Sequence, residues 1–386
     1  MKITVQSAAT ANALAEAILS EPGRPDFVSL HCACGCDVGP LQAALMDGTA
    51  VLGATSCLGT VTQDGAAPAL SAFVIRDPGG SYGTALRPFS GDPTQAARQA
   101  TIAALEQADR AGEKPELIWM AATPGQEEAV LAGIEAVIGT DVPIIGGSAA
   151  DDTVQGDWFL FDTNRKLTEG VLVAVMFPTA RVSFAYQNGY APTAHAGRVT
   201  RAEGRRILEI DDRPALDVYR DWTGGAGLPD PVPSETDTQP ILAQSTFWPL
   251  GREISDTGGV PQYLLAHPAA AHGSGAIDLF ANVEEGEVLT QMCGSVEGLT
   301  ARAGRVAALA RRAGGIATED VAGALMVYCG GCMLGVRDHL EDVVASVNAE
   351  LQGAPFLAVF TFGEQGPILG MGNRHGNLMI SCIIFG

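Results

Sequence analysis

Short apolar runs and amphipathic segments alternate along the first half of the chain. The apolar runs have the length of strands, and the segments between them carry apolar residues at helical spacing. This alternation predicts an α/β fold. It predicts strands over residues 27–32, 49–56, 117–123 and 142–152, and helices near 94–111 and 125–138.

The pattern changes after residue 158. Strand-like runs over 158–162, 170–177 and 181–190 follow one another without long helices, which predicts antiparallel pairing. Residues 223–240 are rich in Gly, Pro and acidic or hydroxyl side chains, which predicts a long loop. Beyond this loop, strands, among them one over 323–330, alternate again with helices near 300–313 and 336–351. We therefore predict two mixed α/β domains, residues 1–208 and 209–386, with sheets flanked by helices.

Composition narrows the range of partners. The formal charge of −21 opposes binding to nucleic acid and to anionic membrane surfaces, because both require clustered Lys and Arg. The first residues show no signal peptide, and no apolar run approaches the length of a membrane helix. We expect a cytoplasmic protein, in which the 8 cysteines are buried thiols, ligands or reactive groups and not disulfides.

Four strand-like runs end in a corner that contains glycine: GATSCLG (53–59), IIGGSAADD (144–152), CGGCMLG (329–335) and FGEQGP (362–367). Such corners either form a pocket floor of backbone N–H groups or are ordinary tight turns. No phosphate-binding loop and no GxGxxG motif is present, so nucleotide binding has no support. The residues that we predict to bind a ligand are Gly146, Gly147, Ser148, Cys329, Gly330, Glu364, Gln365 and Asn377.

Two cysteine motifs are candidates for a metal or redox site. In HCACGC (31–36), a continuing strand would place the three thiols on one face, and a turn at Gly35 is the other way to gather them. CxxC at 329–332 precedes a predicted helix, a position that lowers the pKa of a thiol. Buried thiols are the alternative for both motifs. The predicted ligands of a haem or soft transition metal are His31, Cys32, Cys34, Cys36, Cys329, Cys332 and His375.

Three stretches together resemble the FIST family (F-box and intracellular signal transduction domains). The first is VPIIGGSAADD with the FLFD and GVLVAVMF segments after it, which is similar to the glycine-serine corner of the family. The second is QNGYAPTA with RRILEIDDRPALDVYRDW, in which Pro214, Ala215 and Tyr219 match. The third is MVYCGGCMLG with PFLAVFTFGEQGP and HGNLM. The resemblance extends from about residue 27 to residue 386 and covers both FIST N and FIST C parts.

The resemblance implies a sensory module that binds a small molecule, either an amino acid or a related metabolite. No output domain fits beside it in this sequence, so we expect a separate partner, such as a histidine kinase or a cyclic-nucleotide enzyme. Some bacterial members are haem proteins that report nitric oxide, which makes haem a second implied ligand. Here Gly331 and then Cys332 replace the family's Arg, so an expected cationic contact to an acidic ligand group is missing.

Three functions follow from these observations. The first is a ligand-binding sensor, and the second is a haem or soft-metal sensor, which the added thiols of both cysteine motifs favour. The third is an enzyme with Cys329 or Cys332 as nucleophile or redox pair. No base with a recognisable local pattern accompanies either thiol, so the sequence favours a binding protein over an enzyme.

Overall fold

The computed structural model describes residues 1–46, 48–67, 69–229, 237–257, 260–368 and 370–386. Its sheets are mixed and flanked by helices, which confirms the predicted α/β class. Within these ranges no helix is both long and apolar enough to cross a membrane.

One order of elements occurs three times along the chain. Each repeat begins with an edge strand and a helix. Two parallel strands follow, and a second helix joins them. A β-hairpin and a strand that returns to the same sheet end the repeat. The elements of the first repeat are β1 (Lys2–Ala8), α1 (Ala11–Ser20), β2 (Phe27–Cys32), α2 (Gly39–Ala44), β3 (Ala50–Thr55), β4 (Thr60–Thr62), β5 (Gly65–Ala67) and β6 (Leu70–Arg76). Those of the second are β7 (Ser81–Arg87), α3 (Pro93–Gln107), β8 (Leu117–Ala122), α4 (Glu127–Ile138), β9 (Ile144–Ser148), β10 (Leu160–Phe161), β11 (Lys166–Leu167) and β12 (Val171–Phe177).

The third repeat is interrupted by an inserted unit. It begins with β13 (Val182–Asn188), which the insertion follows. The elements of the inserted unit are β14 (Ala191–Glu203), β15 (Arg206–Ile210), β16 (Arg213–Pro214), α5 (Ala215–Thr223), β17 (Thr238–Pro240), α6 (Leu242–Ser245), β18 (Leu250–Thr257), β19 (Val260–Ala266), β20 (Pro268–His272), β21 (Ile277–Leu279) and β22 (Val288–Cys293). The repeat resumes with α7 (Val296–Ala313), β23 (Gly323–Cys329), α8 (Gly330–Gly335), α9 (Leu340–Leu351), β24 (Phe356–Thr361), β25 (Glu364–Ile368), β26 (Gly372–Gly376) and β27 (Met379–Phe385), with short 3₁₀ turns at Thr318–Asp320 and Arg337–His339.

Each hairpin leaves its own sheet and pairs with the sheet of another repeat. The β4 strand pairs with β24, β10 pairs with β3, and β25 pairs with β9, all antiparallel. The three six-stranded sheets are therefore joined in a closed cycle in which the hairpin of each repeat completes the sheet of the preceding one. The inserted unit forms its own nine-stranded sheet and packs its own apolar core.

The strands that were predicted best are those at the centre of the sheets. Every residue of β2, β3, β8 and β23 is buried, and strands covered on both faces are continuously apolar and easy to recognise. The α3 helix begins one residue before the prediction, because Asp92 caps it by accepting a 3.2 Å hydrogen bond from the N–H of Gln95, and Pro93 takes its first position.

The edges of the sheets were predicted less well. The first residues, interpreted as a helix-like stretch, contain β1 before α1, and both β6 and β7 were missed. The predicted loop over 223–240 contains β17, while its residues 230–236 lie outside the described part of the chain. The predicted domain boundary between residues 208 and 209 lies within β15, and the division into two domains remains a prediction.

Candidate functional site

The strand ends of the three sheets meet in one place, which we call the joint (residues 55–57, 146–150 and 360–364). The N–H of Cys57 donates to the carbonyl of Phe360 at 3.2 Å, and the N–H of Ala150 donates to the carbonyl of Thr55 at 3.2 Å. Ser148 exchanges backbone hydrogen bonds of 2.8 and 3.0 Å with the 361–364 corner. Three of the four glycine-containing corners therefore meet directly, and the fourth, which starts at Cys329, is next to them.

The glycines of the second corner permit close packing of the joint. A Cβ atom on Gly146 would lie 2.0 Å from the carbonyl oxygen of Met120, and one on Gly147 would lie 2.4 Å from Cγ2 of Thr361. Neither space can hold a side chain, because real Cβ contacts are longer than this. These two predicted ligand residues are thus explained by packing between sheets, and a role in ligand binding remains a prediction.

Ser148 belongs to a buried polar chain that reaches the inserted unit. Its hydroxyl donates a 2.8 Å hydrogen bond to Oε1 of Glu127, whose other oxygen forms a 2.8 Å ion pair with Arg205. The Glu127 side chain is 1% exposed. Burial raises the pKa of Glu127, but the charges of His375 and Arg205 outweigh that effect and hold it below its usual range. Arg205 also contacts Glu128 at 2.8 Å, so the turn between β14 and β15 is fastened to the start of α4.

Glu364 is fully buried at the end of the joint. It accepts hydrogen bonds from the hydroxyl of Thr361 at 2.9 Å, the N–H of Gly363 at 3.2 Å and the N–H of Met379 at 3.1 Å. Burial raises the pKa of Glu364 well above its usual range, and the nearby Cys329 adds to the rise. The carboxyl is therefore neither solvated at a loop tip nor aimed into an open cleft.

Further buried polar residues in and next to the β25–β26 hairpin connect it to the inserted unit. Gln365 and His375 are hydrogen-bonded at 3.2 Å, and Nε2 of His375 lies 3.2 Å from the carbonyl oxygen of Phe280. Asn377 accepts a 3.1 Å hydrogen bond from the backbone N–H of His267. His375 is buried in β26, which is incompatible with a histidine on a surface loop.

Both CxxC thiols are buried: Cys329 ends β23, and Cys332 lies in α8. Burial raises the pKa of Cys329 well above its usual range, so the expected activation by the following helix is wrong for this thiol. Sγ of Cys332 lies 3.4 Å from the hydroxyl of Tyr190. Gly330 begins α8 between them, and a Cβ on it would lie 3.2 Å from the carbonyl oxygen of Thr361.

The HCACGC motif does not continue as a strand, which corrects the first of the two interpretations. The β2 strand ends at Cys32, and a turn closed by the 3.2 Å bond from the N–H of Cys36 to the carbonyl of Ala33 follows. A hydrogen bond with Cys32 lowers the pKa of Cys36 to about 7. His31 is in a different environment: it is hydrogen-bonded to Ser29 at 2.9 Å, and burial lowers its pKa to about 3.

The sequence reasoning overlooked Cys57 as a link between the two thiol groups. Burial raises the pKa of Cys57 to about 12, and Asp152, Asp151, Cys329 and Cys34 add to the rise, so this thiol lies within electrostatic range of both motifs. Sγ of Cys34 lies 3.8 Å from Oδ2 of Asp152. In the described part of the chain, however, no three His, Cys, Asp or Glu side chains are grouped to hold a metal ion. The predicted metal set is therefore not assembled.

A groove of about 1160 Å³ lies outside the joint, between the third repeat and the inserted unit. Its walls come from β13, α7, β19 and the segments around residues 140–143 and 367–373. None of the predicted ligand or metal residues lines it. Side chains from at least five distant parts of the chain form it, so no local motif in the sequence could have indicated it.

Two of the groove walls, α7 and the β13 strand, carry polar side chains that contact each other. Arg302 donates to the side-chain oxygen of Gln187, and Arg305 lies on the same helix. The side chain of Asn188 donates a 2.8 Å hydrogen bond to the carbonyl of Tyr263 across the groove wall. The groove thus combines an arginine-bearing helix with the end of a sheet.

Comparison with known proteins gives the following matches. A FIST N domain model matches residues 27–213, and a FIST C domain model matches residues 215–367. An uncharacterised protein of Methanocaldococcus jannaschii is 35% identical over 78 residues, which are 20% of this chain and 15% of that protein. An uncharacterised protein of Mycobacterium tuberculosis is 27% identical over 249 residues, which are 62% of this chain and 61% of that protein. The matched region therefore spans about three fifths of the mycobacterial relative and much less of the archaeal one.

One solved structure aligns along almost the whole chain. It is the crystal structure of a cyanuric acid hydrolase from A. caulinodans, with a TM-score of 0.38 and 10% sequence identity over 99% of this chain and 98% of that one.

Proposed function

The chain belongs to the FIST family, and from that premise we propose that it is a cytoplasmic sensory protein that binds a small molecule in the groove between the third repeat and the inserted unit. FIST domains are sensor domains of signal transduction. The ligand is an amino acid or a related metabolite, and the signal passes to a separate partner protein.

The groove is the single observation that carries this proposal. Small-molecule sites are concave, few in number and often lie between structural units, with a few polar groups among apolar walls. The volume of about 1160 Å³ is slightly above the usual range for such sites, so a small molecule fits, and Ile254, Tyr263, Leu309 and Met379 supply apolar lining. The cytoplasmic location is supported by the 8 cysteines, all of which carry free thiols.

The groove also has a physical route to the rest of the molecule. Met379 lines it and contacts Glu364 in the joint, and Tyr186 lines it and donates a 2.9 Å hydrogen bond to the carbonyl of Glu364. Since the joint holds all three sheets together, a ligand that shifts β13 or β27 acts on the centre of the fold. A sensor needs this kind of coupling between a ligand site and a shared structural element.

Calorimetric titration of the purified protein with amino acids and related metabolites tests the proposal. Native mass spectrometry of the fresh preparation identifies any small molecule that copurifies. Leu309, which is 40% exposed at the groove, is replaced with Trp to narrow it, and Leu19, which is 52% exposed on α1, is replaced with Trp as the matched control. We expect Leu309→Trp to weaken binding about tenfold or more and Leu19→Trp to leave it unchanged. Flat titrations with no copurified molecule would refute the proposal.

A further inference from the structure

Two arginines stand on the groove wall of a strongly acidic protein. Arg302 and Arg305 are three residues apart on α7, so they are neighbours on one face of the helix. The chain carries a formal charge of −21, yet neither arginine forms an ion pair with any described residue. Other arginines of the protein do, such as Arg206 with Asp278 at 2.6 Å and Arg252 with Glu287 at 2.8 Å.

The acidic side chain of the groove lining does not neutralise this pair. Asp141 lines the groove, but its carboxylate is engaged by Lys114 at 2.7 Å. The remaining polar contact of the pair is the side-chain oxygen of Gln187, which accepts from Nη2 of Arg302 and is uncharged. Arg302 and Arg305 therefore bring two positive charges to the groove, and the acceptor that contacts Arg302 is neutral.

The guanidinium group of Arg302 lacks one of its hydrogen bonds. Its Nε is buried and has no hydrogen-bond partner among the described atoms, and a buried donor without a partner is destabilising. Burial lowers the pKa of Arg302, and the charge of Arg305 lowers it further. An anion in the groove would offset the repulsion between the two guanidinium groups and supply the negative charge that the pair lacks.

We propose that Arg302 and Arg305 bind the carboxylate group of a small organic acid, whose apolar body lies along Ile254, Tyr263 and Met379. This inference rests on the proposed function, because it assigns the ligand class of the same groove. Arginine suits a carboxylate because its planar fork donates two parallel hydrogen bonds.

The test compares acids with amides of the same shape by calorimetric titration. The probes are phenylacetate against phenylacetamide, L-leucine against L-leucinamide, and inorganic phosphate. The variants are Arg302→Gln and Arg305→Gln. Arg312→Gln is the control because Arg312 is on the same helix and exposed, with only a 4.0 Å surface pair to Glu350. Arg305 is itself exposed, so its variant keeps the test valid if Arg302→Gln does not fold.

We expect an acid to bind at least tenfold more tightly than its amide. Each groove variant loses tenfold or more of this affinity, and Arg312→Gln keeps it. Acids and amides that bind equally well, or acid binding that both groove variants retain, would overturn the inference while leaving the proposed function intact. Phosphate binding in preference to both acids would also overturn it. If no acid and no amide binds, the inference and the proposed function fail together.

Alkylation of the thiols localises the bound acid. Cys293 lines the groove and is partly exposed, whereas Cys34 is partly exposed outside it. Peptide mass spectrometry after timed iodoacetamide treatment should show that a saturating acid slows the labelling of Cys293 severalfold and leaves that of Cys34 unchanged. Equal protection of both thiols, or protection of neither, would contradict binding in the groove.

Discussion

Met379 connects the groove to Glu364: its backbone N–H donates a 3.1 Å hydrogen bond to the buried carboxyl, and the same residue lines the groove. The carboxyl is held at the meeting point of the strand ends by Thr361 and Gly363 as well. A change in the position of β27 at the groove would therefore alter the contacts of a fully buried ionisable group.

The first prediction concerns Glu364→Gln. An amide has one acceptor oxygen, so a donor that now bonds the carboxyl is left unsatisfied, and the variant should lose about 1–3 kcal/mol of unfolding free energy at pH 6. Because the folded-state pKa of Glu364 lies above its unfolded value, the wild type binds the proton more tightly when folded and loses stability as the pH rises above that unfolded value. The difference in unfolding free energy between wild type and variant, measured by urea unfolding, should therefore narrow from pH 6 to pH 8. A difference that stays constant from pH 6 to pH 8 would contradict this prediction, because it would show that the carboxyl is already ionised in the folded protein.

A second prediction separates packing from ligand binding at Gly146. Gly146→Ala should destabilise the protein by about 3 kcal/mol or more, since the new methyl group meets the Met120 carbonyl, which is fixed in a sheet. Gly35→Ala is the control, because nothing lies within 4 Å of the Cβ that it adds, and it should change the stability by less than about 0.5 kcal/mol. Equal urea midpoints for the two variants would contradict a packing role for Gly146.

Local patterns predicted the parts of the fold that are buried on both sides. The strands β2, β8 and β23 are continuously apolar, and their predicted positions agree with the structure to within one residue. The β1 strand was missed because it is half-exposed, and its polar positions made the segment resemble part of a helix. The cyclic exchange of hairpins could not be predicted from the sequence. The β25 strand pairs with β9 across more than 200 residues, and the sequence of a short strand does not indicate which strand it pairs with.

The candidate site was predicted in part. The sequence indicated that glycine corners end several strands, and the corners do meet, but the packing of Gly146 and Gly147 fills the space that a pocket would need. The groove depends on an inserted unit that folds against α7, and the sequence cannot show which face of a helix such a unit covers. Arg302 and Arg305 lie on a helix that was predicted, and their distinctive feature, the lack of an acidic partner, exists only in three dimensions.

A third prediction concerns the attachment of the inserted unit. Arg205→Gln leaves the carboxylate of Glu127 buried without its cation, and breaking a buried pair in this way costs about 3 kcal/mol or more. The folded-state pKa of Glu127 is below its usual range, so the stabilisation is present above that range and is lost as the pH falls through the lowered pKa. Unfolding curves should therefore show a large deficit at pH 7 that shrinks towards pH 4.

The control for this prediction is Arg201→Gln, which removes a surface pair with Glu209 at 2.9 Å whose side chains are 58% and 34% exposed. Exposed pairs contribute about 0–1 kcal/mol, so this variant should remain close to the wild type at both pH values. Similar losses for the two arginine variants would mean that the Glu127 pair does not anchor the unit.

The fourth prediction ranks the thiols by reactivity. Cys36 is partly exposed, and a hydrogen bond with Cys32 lowers its pKa to about 7, so a large share of it is thiolate at pH 7.5 and it should react first with iodoacetamide. Cys329 should react slowest, because it is buried and its pKa is raised. Peptide mass spectrometry over a time course measures both rates. Cys32→Ala removes the hydrogen bond and should slow the labelling of Cys36 severalfold at pH 7.5, whereas Cys382→Ser, at a buried thiol in β27, should not change it. Faster labelling of Cys329 than of Cys36 would instead favour the thiol-dependent enzyme that the sequence left as the third function.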